Sequence, residues 1–230
     1  MNLFLLNKCS QKNAIQHCNR HVVKMILELT QLLYSAWWMS KEDSEIWSTK
    51  VPNNKPYKAS HIFHPIAMWV RKTKKNYNFV VNLALELCKE YTHRYTKIHA
   101  CQKHLFALQK LNFPEPVFPQ PKPKKSKPHI IATINLPEEI DDFPLCMPET
   151  CYVKKDTEFD AIESYRKYYL TKGSEKWMLK WKNRDIPLWY KEMKMLKKDY
   201  YGGDKSFETI DFRKCAPKGY EFNKPSLTFL

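Results

Sequence analysis

The sequence predicts a mainly α-helical protein, and three observations carry that expectation. From His21 to Leu33, the residues Val22, Val23, Ile26, Leu29, Leu32 and Leu33 recur at i, i+3, i+4 and i+7, which makes one apolar stripe on a helix. Phe79, Val80, Leu83, Leu87, Tyr91 and Tyr95 repeat near the same period farther along. Glycine occurs only four times in 230 residues, which argues against glycine-rich phosphate loops and arrays of tight hairpins.

The elements follow in chain order. The apolar start, Leu3 to Leu6, reads as a buried segment rather than a signal peptide, because it is short and lacks a basic leader. Asn19 is placed to cap the first long helix, unless that helix begins earlier, near Asn13. It runs to Trp37 and Trp38. A polar, proline-containing loop is expected from Ser40 to Ser60. Pro65, with His64 before it, suits the first turn of a second helix containing Ile66, Met68, Trp69 and Val70. Asn76 and Asn78 mark a bend. The third helix then runs on through Leu105 to Leu111. These three helices, near residues 13–38, 64–76 and 77–110, are expected to pack as a bundle with Trp69 in the core.

After residue 111 the composition changes. Phe113 to His129 contains six prolines and several lysines. That density cannot hold a helix or a central strand, so an extended linker is expected. The run Lys122 to Lys127 has the make-up of a nuclear-import signal, although such runs are commonly just solvated. Ile130 to Leu136 is a short β-like run, and Glu138, Glu139, Asp141 and Asp142 form an acidic patch suited to lie over basic surface. Residues 158–198 read as helical, aromatic and basic together. The expected organisation is therefore 1–111 as a helical domain, 112–157 as linker and irregular chain, and 158–230 as a basic aromatic region with an irregular tail beyond Gly202.

Charge points to a partner. The formal net charge is +15, the pI is near 9.4, and 14% of residues are aromatic. Lysine and arginine meet phosphates, and interleaved Tyr and Trp offer stacking faces, so a polyanion such as DNA is favoured. Lys180, Lys182 and Arg184, set among Trp177, Trp181 and Trp189, are candidate phosphate contacts. The alternative is that these tryptophans pack inward on the helical domain. No stretch is long and apolar enough for a membrane span. The seven cysteines, an odd number with no CxxC pair, point to free thiols in a reducing intracellular compartment. No metal site is expected, since Cys18, His21, His93, His99, Cys101 and His104 lack a repeated ligand spacing. No cofactor is expected either, and the chain is expected to be a monomer.

The first helix carries charge beside its apolar stripe. Lys24 and Glu28 lie one turn apart, with His21 one turn before Lys24. A carboxylate next to cations at the edge of a core is a common construction for an acid–base site. The same spacing also makes an ordinary surface ion pair contributing about 0.3–0.5 kcal/mol.

Several segments taken together carry a resemblance. Arg20-His-Val-Val-Lys-Met-Ile-Leu-Glu-Leu-Thr-Gln-Leu-Leu33 resembles the first long helix of the pyrimidine-dimer DNA glycosylase family, the phage endonuclease V-like enzymes. His61-Ile-Phe-His-Pro-Ile-Ala-Met-Trp-Val70 is similar to that family's His-Pro helix, and Glu90-Tyr-Thr-His-Arg-Tyr-Thr-Lys97 to the end of its third helix. Segments like Ser164 to Leu170 and Lys180 to Trp189 resemble a viral and phage branch. The resemblance implies an endonuclease V-like three-helix bundle that flips a nucleotide and cleaves its glycosidic bond. It implies Glu28 as the catalytic glutamate and the N-terminal α-amine as nucleophile. Methionine is ordinarily kept before a residue as large as Asn2, so that amine is expected on Met1. It also implies damaged or modified double-stranded DNA as partner, with Arg20, His21, Lys24, His64 and Arg71 as contacts, in a virus factory, host nucleus or virion. The competing function is a noncatalytic nucleic-acid-binding or virion-associated protein on the same scaffold. A helical protein-interaction adaptor is a third.

Overall fold

The long amphipathic helix α2 (Asn19–Trp38) is the centre of the molecule. Val22, Ile26, Leu29, Leu32 and Leu33 of its apolar stripe are inaccessible to solvent, whereas Val23, expected in the same stripe, is exposed. The computed structural model describes residues 2–111, 113–117, 130–132, 140–173 and 178–201. The fold is mainly helical, with only short two-residue strands among these residues. The expected Pro/Lys linker from 118 to 129, the run 133–139 with Glu138 and Glu139, Trp177, and the tail beyond residue 201 lie outside the described residues.

Before α2 comes a short helix, α1 (Ser10–Gln16), which contains Asn13. The N-cap of α2 is Cys18, and Asn19 is already helical. The Asn19 side chain does not cap the helix; it accepts from Arg94 and from the main chain of Lys182. The stretch expected to be loop after residue 40 contains α3 (Ser44–Ser48). Asp43 caps it through Glu45 N at 2.8 Å, and Trp47 anchors it against the rings of Trp37 and Trp38.

Helix α4 (Pro65–Val70) has Pro65 in its first turn, and His64 Nδ1 accepts from Ile66 N. Trp69 is buried there. The bend expected at Asn76 and Asn78 falls earlier: Thr73 caps α5 (Lys74–Tyr95), and both asparagines are inside the helix. Helix α5 packs along α2 and α1. It does not run on to residue 111. Thr96 takes a left-handed conformation, φ 56°, and ends it. A separate helix, α6 (Gln102–Lys110), follows.

The later chain shares the core of the helices. Strand β1 (Ile131–Ala132) pairs antiparallel with β2 (Phe143–Pro144), and β3 (Lys154–Lys155) with β4 (Glu158–Phe159). Asp141, from the expected acidic patch, meets Lys72 and Lys75 and bonds Thr73 and Asn76, so it clamps this segment to the start of α5. Helix α7 (Ala161–Leu170) buries Tyr165 and Tyr169. Residues 178–187, expected to be helical, are irregular; Pro187 stands just before α8 (Leu188–Tyr201). The apolar logic survives the loss of helix, since Leu179, Trp181, Trp189 and Tyr190 are all buried with the bundle. Fully burying one such large side chain contributes roughly 1.5–3 kcal/mol. Main-chain bonds fix the docking. Asn19 N donates to Lys180 O at 2.8 Å, Trp181 Nε1 to Gln16 O at 2.9 Å, and Cys18 N to the Tyr169 hydroxyl at 2.7 Å. The open donors at the start of α2 are thus met by the C-terminal part of the chain.

Candidate functional site

Glu28 lies on α2 beside the incoming N-terminal segment. Leu3, Phe4, Leu5 and Leu6 are buried, as an apolar segment of that kind must be. The segment is pinned where Leu6 N donates to Asn13 Oδ1 and Leu6 O accepts from Arg166 Nε. This placement brings residue 2 to the edge of α2. The main-chain nitrogen of Asn2 donates to Glu28 Oε2 at 3.1 Å. Lys24 Nζ sits 3.2 Å from Glu28 Oε1. The carboxylate is only 14% exposed, whereas Lys24 is 65% exposed. Glu28 therefore holds one nitrogen on each oxygen: one from its own helix, the other from the chain's first residues. Met1 lies outside the described residues.

Residue 2 is itself tied down. Asn2 Nδ2 donates to Cys146 O at 2.9 Å. Asn2 Oδ1 accepts from Leu3 N at 2.8 Å and lies 3.3 Å from the Tyr165 hydroxyl. Nothing in the sequence marks Asn2, Cys146 or Tyr165 as partners of Glu28. They come from segments separated by up to 163 residues, so only the fold brings them together.

The remaining predicted contacts separate into two groups. Arg20 and Lys24 are exposed on α2, and Lys24 is the one that meets Glu28. Arg20 Nη2 reaches Lys172 O at 3.1 Å, and Lys172 Nζ lies over the Tyr168 ring, 3.7 Å from its centroid. Three cations thus rim this end of the molecule. Lys180 and Lys182 are exposed as well, and Lys182 Nζ lies 5.6 Å from the Tyr95 ring centroid.

The others are engaged within the fold. His21 is buried and stacks on Phe4, with ring centroids 4.8 Å apart. Burial, then the charges of His17, Arg20, Lys172 and Lys24, push its pKa down to about 3, so the ring is neutral at pH 7. His17, fully enclosed, is likewise pushed down to about 4, chiefly by burial. Neither is placed to meet a phosphate. Arg71 is completely buried; Nη1 donates to Ile62 O at 2.6 Å, and burial lowers its pKa to about 10. Its work is to hold the loop before α4. His64 is the cap already described.

Arg184 is engaged with Glu90. Its Nε lies 3.0 and 3.1 Å from the two carboxylate oxygens, and Nη2 is 2.9 Å from Oε2. Arg94 Nε is 2.6 Å from Glu90 Oε1. Arg94 reaches on to Asn19 Oδ1 and Ile15 O. This cluster fastens the C-terminal part to α1, α2 and α5. It is an ion-pair network in which Arg184, expected as a phosphate contact, is engaged with Glu90 while its side chain stays 31% exposed.

A cleft of about 830 Å³ opens near the far end of α2, between α3 and α6, lined by Trp37, Ile46, Trp47, Lys103, Phe106 and Lys110 among others. None of the predicted site residues lines it. Among the described residues, no group of three or more His, Cys, Asp or Glu side chains is placed to hold a metal ion, and no helix is long and apolar enough to cross a membrane. No family model, curated protein or solved structure matches the chain.

Proposed function

We propose that this protein is a DNA glycosylase/AP lyase on an endonuclease V-like helical bundle, with its amino-terminal amine as nucleophile and Glu28 as the carboxylate beside it. One observation carries the reading: the main-chain nitrogen of Asn2, the residue next to the expected α-amine of Met1, is held 3.1 Å from an oxygen of the largely buried Glu28. An α-amine titrates near pH 7.7–8.0, so a useful fraction is neutral at physiological pH, unlike lysine at about 10.4. The neutral amine attacks the sugar carbon that bears the base. A carbon–nitrogen bond forms to the amine, and the glycosidic bond breaks with its electron pair leaving on the base. The proton released by the amine passes to Glu28 and on to the departing base. The carboxylate also stabilises positive charge developing on the sugar. The nitrogen lone pair then forms the C=N bond as the bond from that carbon to the ring oxygen breaks, and the ring oxygen takes a proton from water relayed through Glu28, so the opened sugar remains attached to the protein as a Schiff base.

The surroundings suit a polyanion. Lys24 pairs with Glu28, Arg20 and Lys172 lie together at the start of the same helix, and the whole chain carries a formal charge of +15. Such groups hold phosphates without reading sequence, while the target nucleotide is turned out of the stack.

The test is trapping. Full-length protein is incubated with ultraviolet-damaged or abasic duplex DNA in the presence of borohydride, which reduces the Schiff base to a stable link. A covalent adduct is expected from the wild type and its loss from Glu28→Gln. Mass spectrometry of the trapped N-terminal peptide then reads whether Met1 or Asn2 carries the sugar. Salt-sensitive DNA binding without any adduct replaces this reading with that of a noncatalytic binding protein.

A further inference from the structure

A chain end is ordinarily the least ordered part of a domain unless something fastens it. Here the side chain of residue 2 is fastened through both of its polar atoms. Asn2 Nδ2 gives a hydrogen bond to Cys146 O at 2.9 Å, and Oδ1 takes one from Leu3 N at 2.8 Å with the Tyr165 hydroxyl 3.3 Å away. The same hydroxyl accepts from Cys146 N at 3.3 Å and lies 3.0 Å from Pro144 O. Tyr165 is wholly buried, with its ring edge-on to Phe143 at 5.4 Å and to Phe4 at 6.4 Å. One rigid phenol on α7 therefore joins the 144–146 strand end, the residue 2 side chain and the N-terminal segment.

We infer that Tyr165 and the Cys146 carbonyl form a clamp on Asn2 that holds its main-chain nitrogen against Glu28 and so limits the freedom of the chain start. The inference rests on the glycosylase/lyase reading above and gives the C-terminal part a share in that site. Tyr165 is a positioning residue: it touches residue 2 rather than the reacting sugar. The physical case is one of preorganisation. An amine on a loose terminus spends little time in line with its target, and a displacement of about 1 Å can cost about 100-fold in rate. The amide of Asn2 fits this place because it offers a donor and an acceptor on neighbouring atoms. An aspartate of the same size has no donor for Cys146 O and sets a second anion near Glu28.

The experiment follows the rate of borohydride trapping on abasic duplex DNA against DNA concentration, using full-length protein. Tyr165→Phe is compared with Tyr77→Phe, which removes another buried phenol oxygen, the acceptor of Trp37 Nε1 at 2.9 Å. Tyr165→Phe is expected to slow trapping about 10- to 100-fold at pH 7. The loss falls on the trapping rate at saturating DNA and leaves the DNA concentration for half-maximal rate unchanged. DNA affinity stays the same. Tyr77→Phe is expected to keep the wild-type rate within about 2-fold, the small residual being the general cost of losing a buried hydrogen bond. Asn2→Asp, which changes a single group at the chain end, is expected to reproduce the Tyr165→Phe result, and it serves if that variant does not fold. An unchanged rate in Asn2→Asp, or equal slowing in Tyr165→Phe and Tyr77→Phe, overturns the clamp. If the wild type gives no adduct, the lyase reading fails, and the clamp is judged separately by nuclear magnetic resonance. The Asn2 backbone nitrogen then follows the titration of Glu28 in wild type and ceases to follow it in Asn2→Asp. A nitrogen that still follows Glu28 in that variant overturns the clamp independently of any catalysis.

Discussion

Two carboxylates in this chain stand four residues from a cation on a long helix: Glu28 after Lys24 on α2, and Glu90 before Arg94 on α5. In sequence the two pairs look alike. In the fold they have opposite fates. Glu90 is 3% exposed and Arg94 is fully buried, and a second arginine, Arg184, closes the remaining face of the carboxylate. Glu28 is paired with a lysine that is mostly in water, and its other oxygen meets, among the described residues, a main-chain nitrogen. A saturated, buried carboxylate binds segments together. One left partly open beside a chain terminus has capacity for a proton or a developing charge. Helical spacing alone does not separate these cases; the number of partners and the access of water do.

The comparison can be broken most directly at Glu90. Glu90→Gln removes the charge that compensates buried Arg94, so a loss of about 3–5 kcal/mol in unfolding free energy is expected. Urea denaturation measures it. A loss below about 1 kcal/mol would place Glu90 with the surface pairs. At Glu28 the expectation is reversed. Glu28→Gln should reduce the trapping rate about 100-fold or more, as removal of an acid–base group does, while unfolding free energy changes by about 1 kcal/mol or less. A large stability loss with intact trapping would make Glu28 a second Glu90.

Acid sharpens the contrast. Burial raises the Glu90 pKa, but hydrogen bonds from Arg184 and Arg94 and their charges outweigh it, so the net shift is downward. Its stabilisation is therefore present above the ordinary carboxylate range and is lost as pH falls through the lower folded value. His17 and His21 act earlier. Their folded pKa values, about 4 and about 3, lie below the ordinary 6.5, so below pH 6.5 the unfolded chain binds protons that the folded chain refuses. Each histidine then removes up to about 1.4 kcal/mol of stability per pH unit, until its folded pKa is reached. Stability measured from pH 7.5 to 4 should fall first through this pair, and His21→Phe should flatten the curve between pH 6.5 and 4. An unchanged slope in that variant would show that His21 is accessible and protonated in the fold.

The smallest effect is expected at Lys24. Lys24→Ala should change stability by about 0–1 kcal/mol, because the pair is exposed on the lysine side. If Lys24 meets phosphate, the variant should also lower the salt slope of DNA binding by about one. The same titration on Lys180→Ala and Lys182→Ala, with Arg184 left intact, tests those two lysines without cutting the Glu90 network. An unchanged salt slope would mark each as a solvated side chain.

The mainly α fold and the buried stripe of α2 were legible in the sequence, because apolar period follows from helix geometry alone. So was the burial of Trp69, Trp181 and Trp189, large apolar groups that any compact chain withdraws from water. Local turn chemistry was read less well. The Asp43 cap and Trp47 made a helix where composition suggested loop, and Thr73 and Thr96 set the limits of α5. The pairing of Lys24 with Glu28 was visible because both partners lie on one turn. What only the tertiary structure decided was every pairing across distance. Arg184 looked like a phosphate contact until Glu90, 94 residues away, took its guanidinium. His21 and Arg71 looked like surface cations until packing enclosed them. Asn2 entered the sequence reading only as the residue that keeps Met1, yet its main-chain nitrogen meets Glu28 and its side chain meets Cys146 and Tyr165. Local spacing is a property of the chain, whereas the partners and solvent access of a charge belong to the packed molecule.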